Sequence, residues 1–210
     1  MGSKAYQLKV SLRGTKPPIW RRLLVKDNTS LHRLHRIIQD AMGWQNRHLY
    51  HFDTGEVRYT EHFDDDFIDD GEKLASSTRL GDLDLQDGDV LWYLYDFGDD
   101  WLHEVEVEQV SPVEGGAEYP RCLAGRRACP PEDCGGVHGY DRILSALRSK
   151  SDPERREYLE WLGRDWDPDE FDHQATDRLV REAHRGRASF GTARRPTPIG
   201  LPSSKGRAYP

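Results

Sequence analysis

The sequence predicts an α+β fold, and three observations carry that reading. Apolar residues alternate at Tyr6, Leu8, Val10 and Leu12, the period of two of a half-buried strand. Leu31, Leu34, Ile37, Ile38, Ala41 and Met42 recur instead at helical spacing. A strongly apolar run over 90–95 then reads as a buried strand.

The elements follow in chain order. Residues 14–18 break the first strand, and 19–25 return as its hairpin partner. Thr29 or Ser30 caps the helix, Gly43 ends it, and its apolar stripe faces a sheet. A second hairpin joins 49–53 to 56–59 across Asp53-Thr54-Gly55. Between 61 and 72, seven of twelve residues are acidic. That run reads as a solvated loop, because its carboxylates lack the defined spacing around a turn glycine that a hard cation needs. A leucine-punctuated turn and an Asp-Gly bend lead into 90–95. Hairpin, helix, hairpin, turn and strand in that order give a β-grasp-like mixed sheet with one crossing helix.

After a tight turn at 96–100, Trp101, His103, Val105 and Val107 alternate with Leu102, Glu104, Glu106 and Glu108, which extends the fold by a further strand. In a β-grasp the preceding strand is central and has no free edge. Either the sheet is rearranged, or the new strand continues in a different layer.

Beyond Pro120 the chain turns to loop and then to helix. Tyr140, Ile143, Leu144 and Leu147 mark one short helix, and Asp152-Pro153-Glu154 opens another that closes at Gly163. Asp167-Pro168-Asp169-Glu170 opens a third, with Phe171, Ala175, Leu179, Val180 and Ala183 as its buried stripe before Gly186. The expected organisation is a core over 1–112, a loop and helical part over 113–186 packed on it, and a basic tail over 187–210. The tail is rich in Arg, Pro, Gly and Ser and reads as disordered.

Composition narrows the function classes. Apolar residues make up 36% and charged residues 32%, which suits a soluble protein with a modest core. No run approaches the roughly 18 apolar residues of a membrane span. The N-terminal MGSKAYQLKV lacks the apolar stretch of a secretory signal, so a cytoplasmic location is expected. The net charge of −7 is unevenly spread, since 178–210 hold eight basic side chains against one acid. An acidic body repels phosphate, so only the tail over 187–210 could attract nucleic acid, through weak, salt-sensitive contacts, the alternative for the tail being a solubilising extension. Elsewhere the expected partner is a protein or a small molecule, with no membrane.

Chemistry concentrates in "CPPEDCGGVHGYD" (129–141). Cys122, Cys129, Cys134 and His138 have the spacing C-x6-C-x4-C-x3-H, and three thiolates with one imidazole would suit zinc. Only the Cys134–His138 step has the usual close ligand spacing, and packed, reduced thiols are the alternative. Cys134 with His138 or His103 could instead form a catalytic thiolate–imidazolium pair beside a helix N-terminus. The adjacent Asp133 opposes that, because a neighbouring anion raises a thiol's pKa. The third reading is a binding surface shared with "YDFGDDWLH" (95–103), a turn holding three acids, two aromatic residues flanking them, and His103.

Five blocks carry a family resemblance: "PPIWRRLLV" (17–25), "LHRIIQDAMGW" (34–44), "YDFGDDWLHEVEVE" (95–108), "YPRCLAGRRACPPEDCGGVHGY" (119–140) and "DPDEFD" (167–172). Together they resemble the plasmid pRiA4b ORF-3-like family over roughly residues 5–183. Its members occur on chromosomes, plasmids and insertion sequences, and some carry a TnpR or resolvase-like label. A serine recombinase needs a nucleophilic Ser set among arginines, a setting absent around Ser11, Ser30, Ser76 and Ser77. The resemblance implies a fold and a shared surface rather than a chemistry. Carried onto this chain, that surface comprises Asp96, Gly98, Asp99, Trp101 and His103 from one block. Glu132, Asp133, Cys134, Gly135, Gly136, Gly139 and Tyr140 come from the other. A binding or accessory module linked to mobile elements and a metal- or cysteine-dependent hydrolase both remain open at this point.

Overall fold

The computed structural model describes residues 2–61, 71–163 and 166–185. Most of the acidic run and all of the basic tail lie outside them. Along the chain run β1 (Lys4–Leu12), β2 (Ile19–Lys26), α1 (Leu31–Met42), β3 (Tyr50–Asp53), β4 (Arg58–Thr60), β5 (Glu72–Leu74), a 3-10 turn (Leu80–Leu83), β6 (Val90–Tyr95), β7 (Trp101–Pro112), β8 (Arg121–Arg126), α2 (Gly136–Arg148), α3 (Arg155–Leu162) and α4 (His173–His184).

The strands make one mixed, eight-stranded sheet in the order β5-β4-β3-β6-β7-β1-β2-β8. All pairs are antiparallel except β4 with β5. The class is therefore α+β. Of the two routes open to the extra strand, the sheet takes rearrangement. The turn after Tyr95 folds β7 back along β6, pairing Tyr95 with Trp101 and Leu91 with Val105. The other edge of β7 then receives β1, with Val10 opposite Val105. β7 thus occupies the place beside β1 that the β-grasp order gives to the preceding strand.

Period-two burial sets the two faces. Tyr6, Leu8, Val10, Leu23, Val25, Leu91, Tyr93, Val105 and Val107 are fully buried or nearly so, beneath α1. The opposite face carries cross-strand ion pairs, among them Arg22–Glu108 at 2.5 Å, Arg13–Glu104 at 2.9 Å and Lys9–Glu106 at 3.5 Å. α1 begins where Ser30 accepts the Arg33 N–H at 3.2 Å and ends at Gly43 in the left-handed region. Its buried face includes Leu34, Ile37, Ile38 and Met42, as the spacing predicts.

β8 corrects the sequence reading, which assigns this stretch to loop. "RCLAGR" carries no apolar alternation, yet it completes the sheet edge beside β2. Its place is explained by Arg21, which is 2% exposed. The guanidinium donates to the carbonyls of Ala41 and Arg127 at 2.8 Å, of Trp20 at 2.8 Å and of Arg126 at 3.0 Å. Phe171 stacks over it at 4.1 Å. Gly125 makes room: a Cβ there would lie 2.5 Å from the Phe171 ring. One side chain thus ties β2, the end of α1, β8 and the segment before α4 together. α4 is capped by Asp172, later than the sequence reading has it, and packs against both α1 and β8, burying Val180 but leaving Leu179 of the expected stripe exposed.

Candidate functional site

Three segments remote in sequence meet at one end of the sheet: residues 44–50 after α1, the turn at 95–100, and the loop at 130–136. The Trp44 indole donates to the Pro130 carbonyl at 2.9 Å. The Tyr95 hydroxyl donates to Glu132 at 2.5 Å and accepts the Arg47 N–H at 3.1 Å, while the other Glu132 oxygen accepts the Gln45 N–H at 3.1 Å. Burial and the Glu132 carboxylate both push the Tyr95 phenol's pKa up. The hydroxyl therefore stays protonated and keeps donating.

The turn and the loop close on each other directly. Asp96 adopts a left-handed backbone, and its Oδ1 accepts the N–H groups of Gly98 at 3.0 Å and Asp99 at 3.3 Å. Asp99 in turn accepts the Gly135 N–H at 3.2 Å, placing a carboxylate at the start of α2 where the helix dipole favours it. Gly136 has φ of +66°, and a Cβ on it would lie 2.4 Å from the Asp99 carbonyl oxygen. A Cβ on Gly139 would lie 1.8 Å from the Cys134 carbonyl oxygen. The glycines therefore permit contact between backbones. Into this junction projects His48, its Nε2 lying 3.0 Å from Asp133 Oδ1 and 3.5 Å from Asp96 Oδ2.

Not every residue singled out from sequence belongs to the surface. Asp96, Gly98, Asp99, Glu132, Asp133, Gly135 and Gly136 come together as described. Trp101 and His103 are fully buried and Tyr140 is 2% exposed, which removes these three from the face. His103 is the substantive correction. The β7 alternation turns it inward among Trp44 and Tyr93, where burial lowers its pKa to about 4. It is a neutral core side chain and not a general base within reach of a substrate.

The thiol cluster does not form either. Cys122 is buried in β8, Cys129 lies against Met42 and Arg21, Cys134 sits at the start of α2, and His138 is exposed on that helix. Among the described residues, the one group of three His, Cys, Asp or Glu ligand atoms within 4.8 Å of one another is His48, Asp96 and Asp133. Burial is the largest cause that pushes Cys122 up to about 11 and Cys134 up to about 12, with Asp99 and Asp133 adding to the latter. Such thiols are poor nucleophiles at neutral pH. His48 was missed by sequence reasoning, because no spacing links "NRHLY" to the two distant acids.

A model of the plasmid pRiA4b ORF-3-like protein family matches residues 4–175. The chain belongs to that family. An uncharacterised protein, y4hQ of Sinorhizobium fredii, is 36% identical over 166 residues, which cover 78% of this chain and 83% of the relative. Among solved structures, the protein of unknown function MM3350 from Methanosarcina mazei matches with a TM-score of 0.74 at 35% identity, over 83% of this chain and 98% of that one.

In this family member the junction adjoins two clefts. One, of about 430 Å³, is lined by Trp44, Arg47, Pro131, Glu132, Asp133 and Trp166 among others. The second, of about 630 Å³, is lined by His32, Arg36, Arg47, His48 and Tyr50 among others. Two apolar side chains stand out in the open beside the junction, Leu49 at 49% and Phe97 at 54% exposure. Their segments are joined where the Asp96 N–H donates to the Leu49 carbonyl at 2.9 Å. No helix among the described residues is long and apolar enough to cross a membrane.

Proposed function

We propose that this family member is a binding module whose contact face is the junction of the acidic turn, the glycine-rich loop and the segment around His48. One observation carries the reading: three remote segments are locked together by side-chain hydrogen bonds, and the result presents acids and exposed apolar residues side by side. A folding core has no need of Leu49 and Phe97 in solvent near the exposed Asp133, whereas apolar anchors ringed by polar groups are the anatomy of a recognition patch. The raised thiol pKa values and the burial of His103 favour binding over cysteine-dependent turnover. The plasmid reading frame in the family's description supports placing the module among the accessory functions of mobile elements.

Crosslinking in the native host tests this. Wild type and the Leu49→Asp/Phe97→Asp double variant are compared, with Leu179→Asp as a control at an exposed apolar residue on α4. The expected result is a defined partner recovered with wild type and Leu179→Asp and lost from the double variant, all three having equal melting temperatures. Equal recovery from all three excludes this face.

A further inference from the structure

We propose that His48, Asp96 and Asp133 bind a divalent first-row metal ion. The three ligand atoms, His48 Nε2, Asp96 Oδ2 and Asp133 Oδ1, lie within 4.8 Å of one another. The imidazole nitrogen is 3.0 Å from one carboxylate and 3.5 Å from the other. Adjacent ligands around an ion with bonds of ~2.1 Å stand ~3.0–3.4 Å apart, so the two separations, though also those of an ion pair, fit a shared cation.

A second observation is independent of the spacing. His48 Nε2 is sealed from solvent, yet it makes no hydrogen bond despite facing two carboxylates. An imidazolium or a neutral N–H aimed at Asp133 would align its hydrogen with the oxygen. A metal ion between the ring nitrogen and the two carboxylates would satisfy that nitrogen instead. Asp96 completes the argument. Its side chain is 9% exposed, and both N–H donors it accepts fall on Oδ1, so Oδ2 is left facing His48. The backbone N–H groups orient that carboxylate as outer partners orient a metal ligand.

One imidazole with two carboxylates is a borderline donor set that suits zinc or manganese, and it is unlike the thiolate set read from the cysteine spacing. Three protein ligands leave coordination positions open. An ion held here would have a place for a partner's carboxylate or another anionic group, next to a cleft that also holds Arg36 and Arg47. The inference builds on the reading of this face as a binding surface, and titration with metal alone separates the two.

The test is calorimetric titration of Zn2+ into tag-free, full-length protein stripped with chelator. The expected result is one ion per chain with a dissociation constant below ~10 μM, unchanged in Cys129→Ser and weakened at least ~10-fold in both His48→Gln and Asp133→Asn. His48 is half-buried and Asp133 exposed, so both variants are expected to keep the wild-type melting temperature without metal. Absence of saturable binding, loss of binding in Cys129→Ser, or full binding in His48→Gln and Asp133→Asn would overturn the site. Loss of partner recovery in the Leu49→Asp/Phe97→Asp variant alongside no zinc binding would retire the metal and leave the binding face standing.

Discussion

Burial, with the Asp99 and Asp133 carboxylates adding to it, pushes the Cys134 thiol up to about 12. With Cys122 at about 11, fewer than about one in a thousand of either thiol is ionised at pH 7.5. Native protein should therefore alkylate with iodoacetamide at least ~100-fold more slowly than a free cysteine peptide, and become fully reactive in urea. Rapid native labelling of Cys134 would contradict the burial described. Gly136 gives a second residue-scale forecast. Alanine there combines a left-handed backbone with a Cβ driven into the Asp99 carbonyl, and should cost about 2 kcal/mol in urea unfolding. The Gly135 amide should also lose hydrogen-exchange protection, since its acceptor is Asp99. The sequence marked these glycines as unusual, but only the structure identifies the backbone they accommodate.

Elements were legible where a single face is buried. β1, α1 and β7 emerge from periodicity, because one-sided burial writes itself into alternation, and β6 from its unbroken apolar run. β8 does not, since its place depends on a buried arginine and a stacked phenylalanine from elsewhere in the chain. The same arginine supports an element-scale prediction. Arg21→Met keeps much of the apolar stem but leaves the Ala41, Arg126 and Arg127 carbonyls without their donor. The expected destabilisation is about 3 kcal/mol or more, with the end of α1 and β8 losing amide protection together. Uniform loss across the whole sheet would show that Arg21 does not act as a local clasp.

At the scale of the molecule, acid stability depends on histidines hidden in the core. Burial holds His35 at about 3 and His103 at about 4, whereas the unfolded chain takes up these protons near pH 6.5. Between pH 6.5 and 4 the unfolded state binds more protons, so stability present above pH 6.5 falls as pH drops through that window. His103 alone contributes on the order of 3 kcal/mol to the fall, and urea midpoints measured from pH 7.5 to 4.5 should decline accordingly. His103→Gln should flatten the decline.

The site as a whole was half legible. The acidic turn and the glycine-rich loop stood out because neither composition suits a packed element. His48, Tyr95 and Trp44, which join them, look ordinary in sequence, and proximity across such separations is a property of the fold. Their closure into one rigid junction is most directly tested by a double-mutant cycle on Tyr95→Phe and Glu132→Gln, the pair bonded at 2.5 Å between turn and loop. A coupling energy of about 1–2 kcal/mol in urea unfolding is expected. Costs that add to within about 0.3 kcal/mol would mean that turn and loop do not meet, and the junction would fall with them.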